Sequence, residues 1–138
     1  MEFVLDTSVT MSWCFEDEAT PYTEATLDRL QGATAVVPSI WPLEVANVLL
    51  SAERRGRLTE AQSTRFIELL GALPIVMEQP SVDRVLGAVL LLGRQHALSA
   101  YDAAYLELAA RHGLPLATRD ERIVTAAAAI GVKMVQLA

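Results

Sequence analysis

A chain of 138 residues carrying a formal charge of −6 is the length of one domain and is acidic, so it does not hold a nucleic acid by surface charge alone. Hydrophobic residues make up 52%, yet the central apolar run Ala88–Leu92 is far too short to cross a bilayer. One cysteine, Cys14, forms no internal disulfide, and the start Met1-Glu2-Phe3-Val4-Leu5-Asp6 lacks a basic, cleavable leader. A cytoplasmic, non-membrane protein is the expectation.

In chain order, Glu2 to Leu5 reads as a buried strand ending at Asp6, and Thr7-Ser8 starts a helix to about Phe15. Glu16-Asp17-Glu18 is an acidic loop. Pro21 opens a helix to about Leu30, stopped by Gln31-Gly32, and Ala35 to Val37 is a second strand closed by Pro38-Ser39. Pro42 suits the first turn of a long helix from about Leu43 to Arg55, with Val45, Val48, Leu49 and Ala52 on one face. Thr59 and Gln62 form a capping-box signature for a helix to about Leu70. Ile75 to Met77 is a third strand, and Ser81 to about Gln95 a fifth helix. Ser99 caps a sixth, which Gly113 ends. Leu116 to Thr118 is a fourth strand. Thr118 with Glu121 reads as the capping box of a last helix to about Ala129, and Lys133 to Val135 as a last strand. Short apolar strands alternating with amphipathic helices predict one α/β domain over residues 1–138. Its architecture is a three-layer αβα sandwich around a mostly parallel sheet of four to five short strands.

Four acids occupy comparable places. Asp6 and Asp120 follow strands, while Glu44 and Asp102 lie in first helical turns. Each alone is explained by helix capping and the macrodipole. Together they would converge, because residues after parallel strands emerge at one sheet edge, beside the helix starts. Two carboxylates about 4 Å apart at an effective dielectric near 20 repel by roughly 4 kcal/mol. A hard divalent cation, Mg²⁺ or Mn²⁺, is what relieves such crowding among oxygen ligands.

The four segments Val4-Leu5-Asp6-Thr7-Ser8, Pro42-Leu43-Glu44-Val45-Ala46-Asn47-Val48-Leu49, Ser99-Ala100-Tyr101-Asp102-Ala103-Ala104-Tyr105-Leu106 and Leu116-Ala117-Thr118-Arg119-Asp120 resemble, in order and spacing, the acidic motifs of PIN domains. The small single-domain form is most similar to VapC-type toxins of bacterial toxin–antitoxin pairs. The resemblance implies a Mg²⁺- or Mn²⁺-dependent ribonuclease with Asp6, Glu44, Asp102 and Asp120 as catalytic, metal-holding acids. It also makes Thr7, Ser99 and Thr118 candidate hydroxyls behind them, and a protein antitoxin the partner. Arg119 departs from the small or apolar residue of most relatives; a phosphate contact and a solvent-exposed charge stay open for it. The same two readings stay open for Arg54-Arg55-Gly56-Arg57, the only basic cluster. Cys14 beside Trp13 and Phe15 reads as packing, and His96 and His112 take no catalytic role. The apolar composition points to a homodimer. A haloacid-dehalogenase-like phosphatase would need an aspartate where Ser8 stands, and a receiver domain a lysine after the last strand, whereas Lys133 precedes it. The remaining alternative is a catalytically silent PIN-like module that binds RNA or protein.

Overall fold

The computed structural model describes residues 2–136. Its sheet has four parallel strands, β1 (Glu2–Leu5), β2 (Thr34–Pro38), β3 (Ile75–Glu78) and β4 (Leu116–Ala117), in the order β3-β2-β1-β4. The first-made strand is therefore central. It pairs with β2 through Glu2–Thr34, Phe3–Ala35 and Val4–Val36, and with β4 through Val4–Leu116 and Leu5–Ala117.

The helices are α1 (Thr7–Ser12), α2 (Pro21–Arg29), α3 (Trp41–Arg54), α4 (Glu60–Gly71), α5 (Val82–Arg84), α6 (Leu90–His96), α7 (Ala100–His112) and α8 (Glu121–Ile130). A π-helical turn, Val85–Val89, joins α5 to α6, so the expected fifth helix is one helical path with a widened middle. Strand alternation divides the core. Val4, Val36 and Leu116 pack with Tyr105 and Leu106 of α7 and Ile123 of α8. Their neighbours Phe3, Leu5, Ala35, Val37 and Ala117 face the other way, onto Val9 and Leu30. A third cluster, with Met11, Phe15, Val45, Leu49 and Phe66, joins α3 and α4 to α1.

Three details differ from the sequence reading. The helix after Asp6 ends at Ser12, and Glu16–Glu18 forms a short 3₁₀ turn. Lys133 to Val135 contributes one parallel bridge, Leu116–Met134, rather than a strand. The last helix is capped by Asp120, not Thr118: the Asp120 carboxylate accepts the Arg122 and Ile123 N–H groups at 2.9 and 3.4 Å. The reason is that α8 begins only at Glu121, which leaves Thr118 two residues before the cap position; its hydroxyl donates to Asp6 and accepts the Asp120 N–H at 3.1 Å.

Candidate active site

Asp6 leaves the carboxyl end of β1 in the cap position of α1, yet its side chain caps nothing. One carboxylate oxygen, Oδ2, accepts hydroxyl hydrogen bonds from Ser8 and Thr118, both at 2.7 Å. The second oxygen has no hydrogen bond among the described residues. The Leu5–Ala117 pairing puts Thr118 beside Asp6, and the Asp6 N–H donates to the Ala117 carbonyl at 3.0 Å. Burial pushes the Asp6 carboxyl above the usual carboxylate range; the two hydroxyls oppose this, and Glu44 and Asp102 add to it.

Glu44 sits early in α3, where its N–H already bonds the Ile40 carbonyl, so the side chain is free for other work. The start of α3 is held against α1 by Trp41, whose indole N–H donates to the Thr10 hydroxyl at 3.0 Å. Glu44 Oε1 accepts from the Thr7 hydroxyl at 3.0 Å and from the Tyr105 phenol at 2.5 Å, and the two hydroxyls are 2.7 Å apart. Glu44 Oε2 has no hydrogen bond among the described residues. Tyr105 is 0% exposed, and burial first, then its bond to Glu44, hold its phenol protonated well above the ordinary tyrosine range.

Ser99 caps α7 by accepting the Asp102 N–H at 3.1 Å, while the Asp102 carboxylate makes no return bond to the cap. Burial, and next the Asp120 charge, raise the Asp102 pKa; Arg122 and the Ser99 hydroxyl pull it down. The Arg122 guanidinium lies 3.9 Å from Asp102 and 3.8 Å from Asp120, on the exposed side.

The four predicted acids influence one another only in pairs, Glu44 with Asp6, Asp6 with Asp102, and Asp102 with Asp120. Among the described residues no three acid or imidazole side chains stand close enough to cage a metal. The donors nonetheless suit a hard cation, since every ligand atom is a carboxylate oxygen and Asp6 and Glu44 each keep one unbonded. Of the three predicted supporting hydroxyls, Thr7 and Thr118 hold Glu44 and Asp6, whereas Ser99 serves mainly its own helix end. Two contributors escaped the sequence reading. Ser8 lies two residues after Asp6, and Tyr105 lies one helical turn after Asp102, a spacing that puts both on one face. Arg119 does not reach the acids: its guanidinium donates to the Glu18 carbonyl at 3.0 Å and lies 3.9 Å from the Glu18 carboxylate. His112 pairs with Glu78 at 2.7 Å, away from the acids, and burial raises the Cys14 thiol pKa, in keeping with packing.

An α/β domain that sets carboxylates, braced by hydroxyls, at the carboxyl edge of a parallel sheet has the site of an acid-cluster hydrolase. The family model of the PIN domain matches residues 3–129, and the chain belongs to that family. It is 28% identical over 123 residues to Ribonuclease VapC3 of Pyrobaculum aerophilum, covering 89% of this chain and 92% of that one. Two solved structures share the fold. VapBC2 of Rickettsia felis, bound to a DNA fragment of its promoter, superposes with a TM-score of 0.70 at 12% identity, covering 98% of both chains. FitAcB of Neisseria gonorrhoeae gives 0.59 at 18% identity, covering 99% of this chain and 97% of that one.

Proposed function

We propose that this protein is a divalent-metal-dependent endoribonuclease, a single PIN domain spanning residues 1–138 that acts as the toxin of a toxin–antitoxin pair. The observation that carries this reading is the chain of paired acids, Glu44–Asp6–Asp102–Asp120, with Asp6 and Glu44 each clamped through one oxygen by two hydroxyls. Ribonuclease VapC3 supports the activity, and a toxin–antitoxin complex from Klebsiella pneumoniae that shares the fold, with a TM-score of 0.60 at 19% identity, supports the biology. No helix among the described residues is long and apolar enough to cross a membrane.

Asp6, Glu44, Asp102 and Asp120 would hold Mg²⁺ or Mn²⁺. When bound, such an ion supplies a water of lowered pKa and neutralises charge on the scissile phosphate. The chain's own residues do the rest. Ser8 and Thr118 offset the burial of Asp6 by hydrogen-bonding its ionised form. Tyr105 stays protonated and, with Thr7, fixes one Glu44 oxygen so that the other is presented in one orientation. Asp120 is anchored by the first N–H groups of α8. Against a silent binding module, this clamping has no purpose unless the carboxylates must be aimed.

The antitoxin would present an arginine to the acids, because a guanidinium pairs two carboxylate oxygens, and the toxin would act as a homodimer. The deciding experiment is cleavage of single-stranded and structured RNA by purified protein. Cleavage is expected with Mg²⁺ or Mn²⁺ and none in EDTA; undiminished cleavage in EDTA refutes the metal mechanism. In cells, expression alone arrests growth, and co-expression of the adjacent gene relieves the arrest.

A further inference from the structure

Beside the acids lies a cavity of about 460 Å³, within the range of about 300–1,000 Å³ typical of small-molecule sites. Thr7, Ser8 and Asp120 form its wall on the acidic side, and Arg55, Arg57 and Arg119 contribute to the remainder. A protein of charge −6 thus places three of its eleven basic residues around one hollow, adjoining the groups that would cleave a phosphodiester.

The three arginines are not equivalent. Arg57 is committed: it donates two bonds to Asp17, at 3.0 and 3.2 Å, and stacks 4.2 Å over the Phe15 ring. Arg55 donates only to the Ser51 hydroxyl, at 3.0 Å, and has no acidic partner among the described residues. Arg119 is held by the Glu18 carbonyl and faces the Glu18 carboxylate at the long distance of 3.9 Å. An exposed ion pair of that length is weak. A phosphate accepts two parallel bonds from one guanidinium and would displace it.

We propose that this cavity is a phosphate subsite for the RNA strand, in which Arg55 and Arg119 hold the backbone beside the bond to be cut, and that Glu18 is its built-in competitor. The proposal deepens the ribonuclease reading and rests on it for the identity of the strand. A cation among the acids compensates only the phosphate under attack, so its neighbours on the strand need charge from the protein. Arg119, between Thr118 and Asp120 in the chain, stands where one of those neighbours passes. The backbone N–H of Arg119 donates to Ser8 at 3.0 Å, so the residue that carries the guanidinium is tied to the same hydroxyl that braces Asp6.

The test measures binding of a short fluorescent single-stranded RNA to the full chain in EDTA, across a KCl titration, separately from cleavage in Mg²⁺. Arg119→Gln and Arg55→Gln are each expected to weaken binding about tenfold, as for one charge-assisted hydrogen bond. Each should also flatten the slope of log affinity against log salt by about 0.7. Arg119→Lys keeps the charge without the fork and should fall between parent and Arg119→Gln. Glu18→Gln should tighten binding severalfold, and Arg94→Gln on α6 should leave it unchanged. Parental binding, salt slope and kcat/KM in both Arg119→Gln and Arg55→Gln would overturn the subsite while leaving the ribonuclease reading intact. Equal weakening by Arg94→Gln would overturn it too, by showing general attraction. Should no RNA be cleaved under any metal, the ribonuclease reading fails, yet the same pattern of binding would still uphold the subsite.

Discussion

Tyr105→Phe removes one oxygen atom from the centre of the site and almost nothing else. The ring is fully buried and remains in place, so no sizeable cavity opens. What disappears is the phenol's 2.5 Å bond to Glu44 and its 2.7 Å contact with Thr7. A hydrogen bond to a charged acceptor contributes about 1.5–3 kcal/mol. The low end applies here, because Thr7 still donates to the same Glu44 oxygen at 3.0 Å and Glu44 is only partly buried. A loss of about 1.5 kcal/mol in urea unfolding is therefore expected. Glu44→Ala removes the acceptor, and the double variant completes a cycle whose coupling should fall between about 0.5 and 3 kcal/mol. Cleavage by Tyr105→Phe should drop with kcat rather than KM, since a less firmly aimed Glu44 affects the reacting centre and not strand binding. A coupling energy below about 0.3 kcal/mol, the level at which distant sites simply add, would refute the clamp.

Three further outcomes follow from the same geometry. Asp102→Asn removes a charge that repels both Asp6 and Asp120, so metal-free thermal melts should move up, stabilisation by Mg²⁺ should shrink, and cleavage should fall by orders of magnitude; a destabilised variant cleaving at the parental rate would contradict this. Asp6 and Asp102 both have folded pKa values raised above the unfolded ones, so the stability they lend is full below the unfolded values and is lost as pH rises through the folded ones. Metal-free melts across the acid range should show that loss in the parent and a smaller one in Asp102→Asn, whereas Glu78, whose pKa is lowered, contributes the opposite slope in both. Asp120→Ala removes the cap of α8 and should cost about 1 kcal/mol in denaturant melts beyond any effect on activity, a cost absent from Asp102→Asn.

The acids were legible because two periodicities place them: apolar strands end at Asp6 and just before Asp120, and helix-start signals precede Glu44 and Asp102. The parallel sheet then brings them to one edge. What a linear pattern does not carry is which neighbour a hydroxyl chooses. Thr118 has the look of a helix cap, but the helix starts at Glu121, and the Leu5–Ala117 register sets a buried carboxylate within reach of its hydroxyl, which donates there while accepting the Asp120 N–H. The cap then passes to Asp120, which satisfies the helix and serves the site at once. Tyr105 was hidden for the opposite reason. An aromatic on the apolar face of α7 is ordinary core, and only the position of α3 reveals that its hydroxyl end meets Glu44. Lys133 to Val135 has a strand's composition but meets its neighbour through a single bridge, and composition does not encode length of pairing.

The placement of β1 between β2 and β4 has a consequence for when the acid site is assembled. The Thr118 hydroxyl that braces Asp6 lies 112 residues further along the chain. Translation delivers Asp6 first, and β2 and β3 can line up on one side of it while its other flank stays bare. Until the segment bearing Thr118 and Asp120 leaves the ribosome, Asp6 lacks that brace and Asp102 lacks its neighbouring acid. The nascent chain therefore lacks an assembled acid site throughout its synthesis. Assembly of the acid site is completed by the insertion of a two-residue strand.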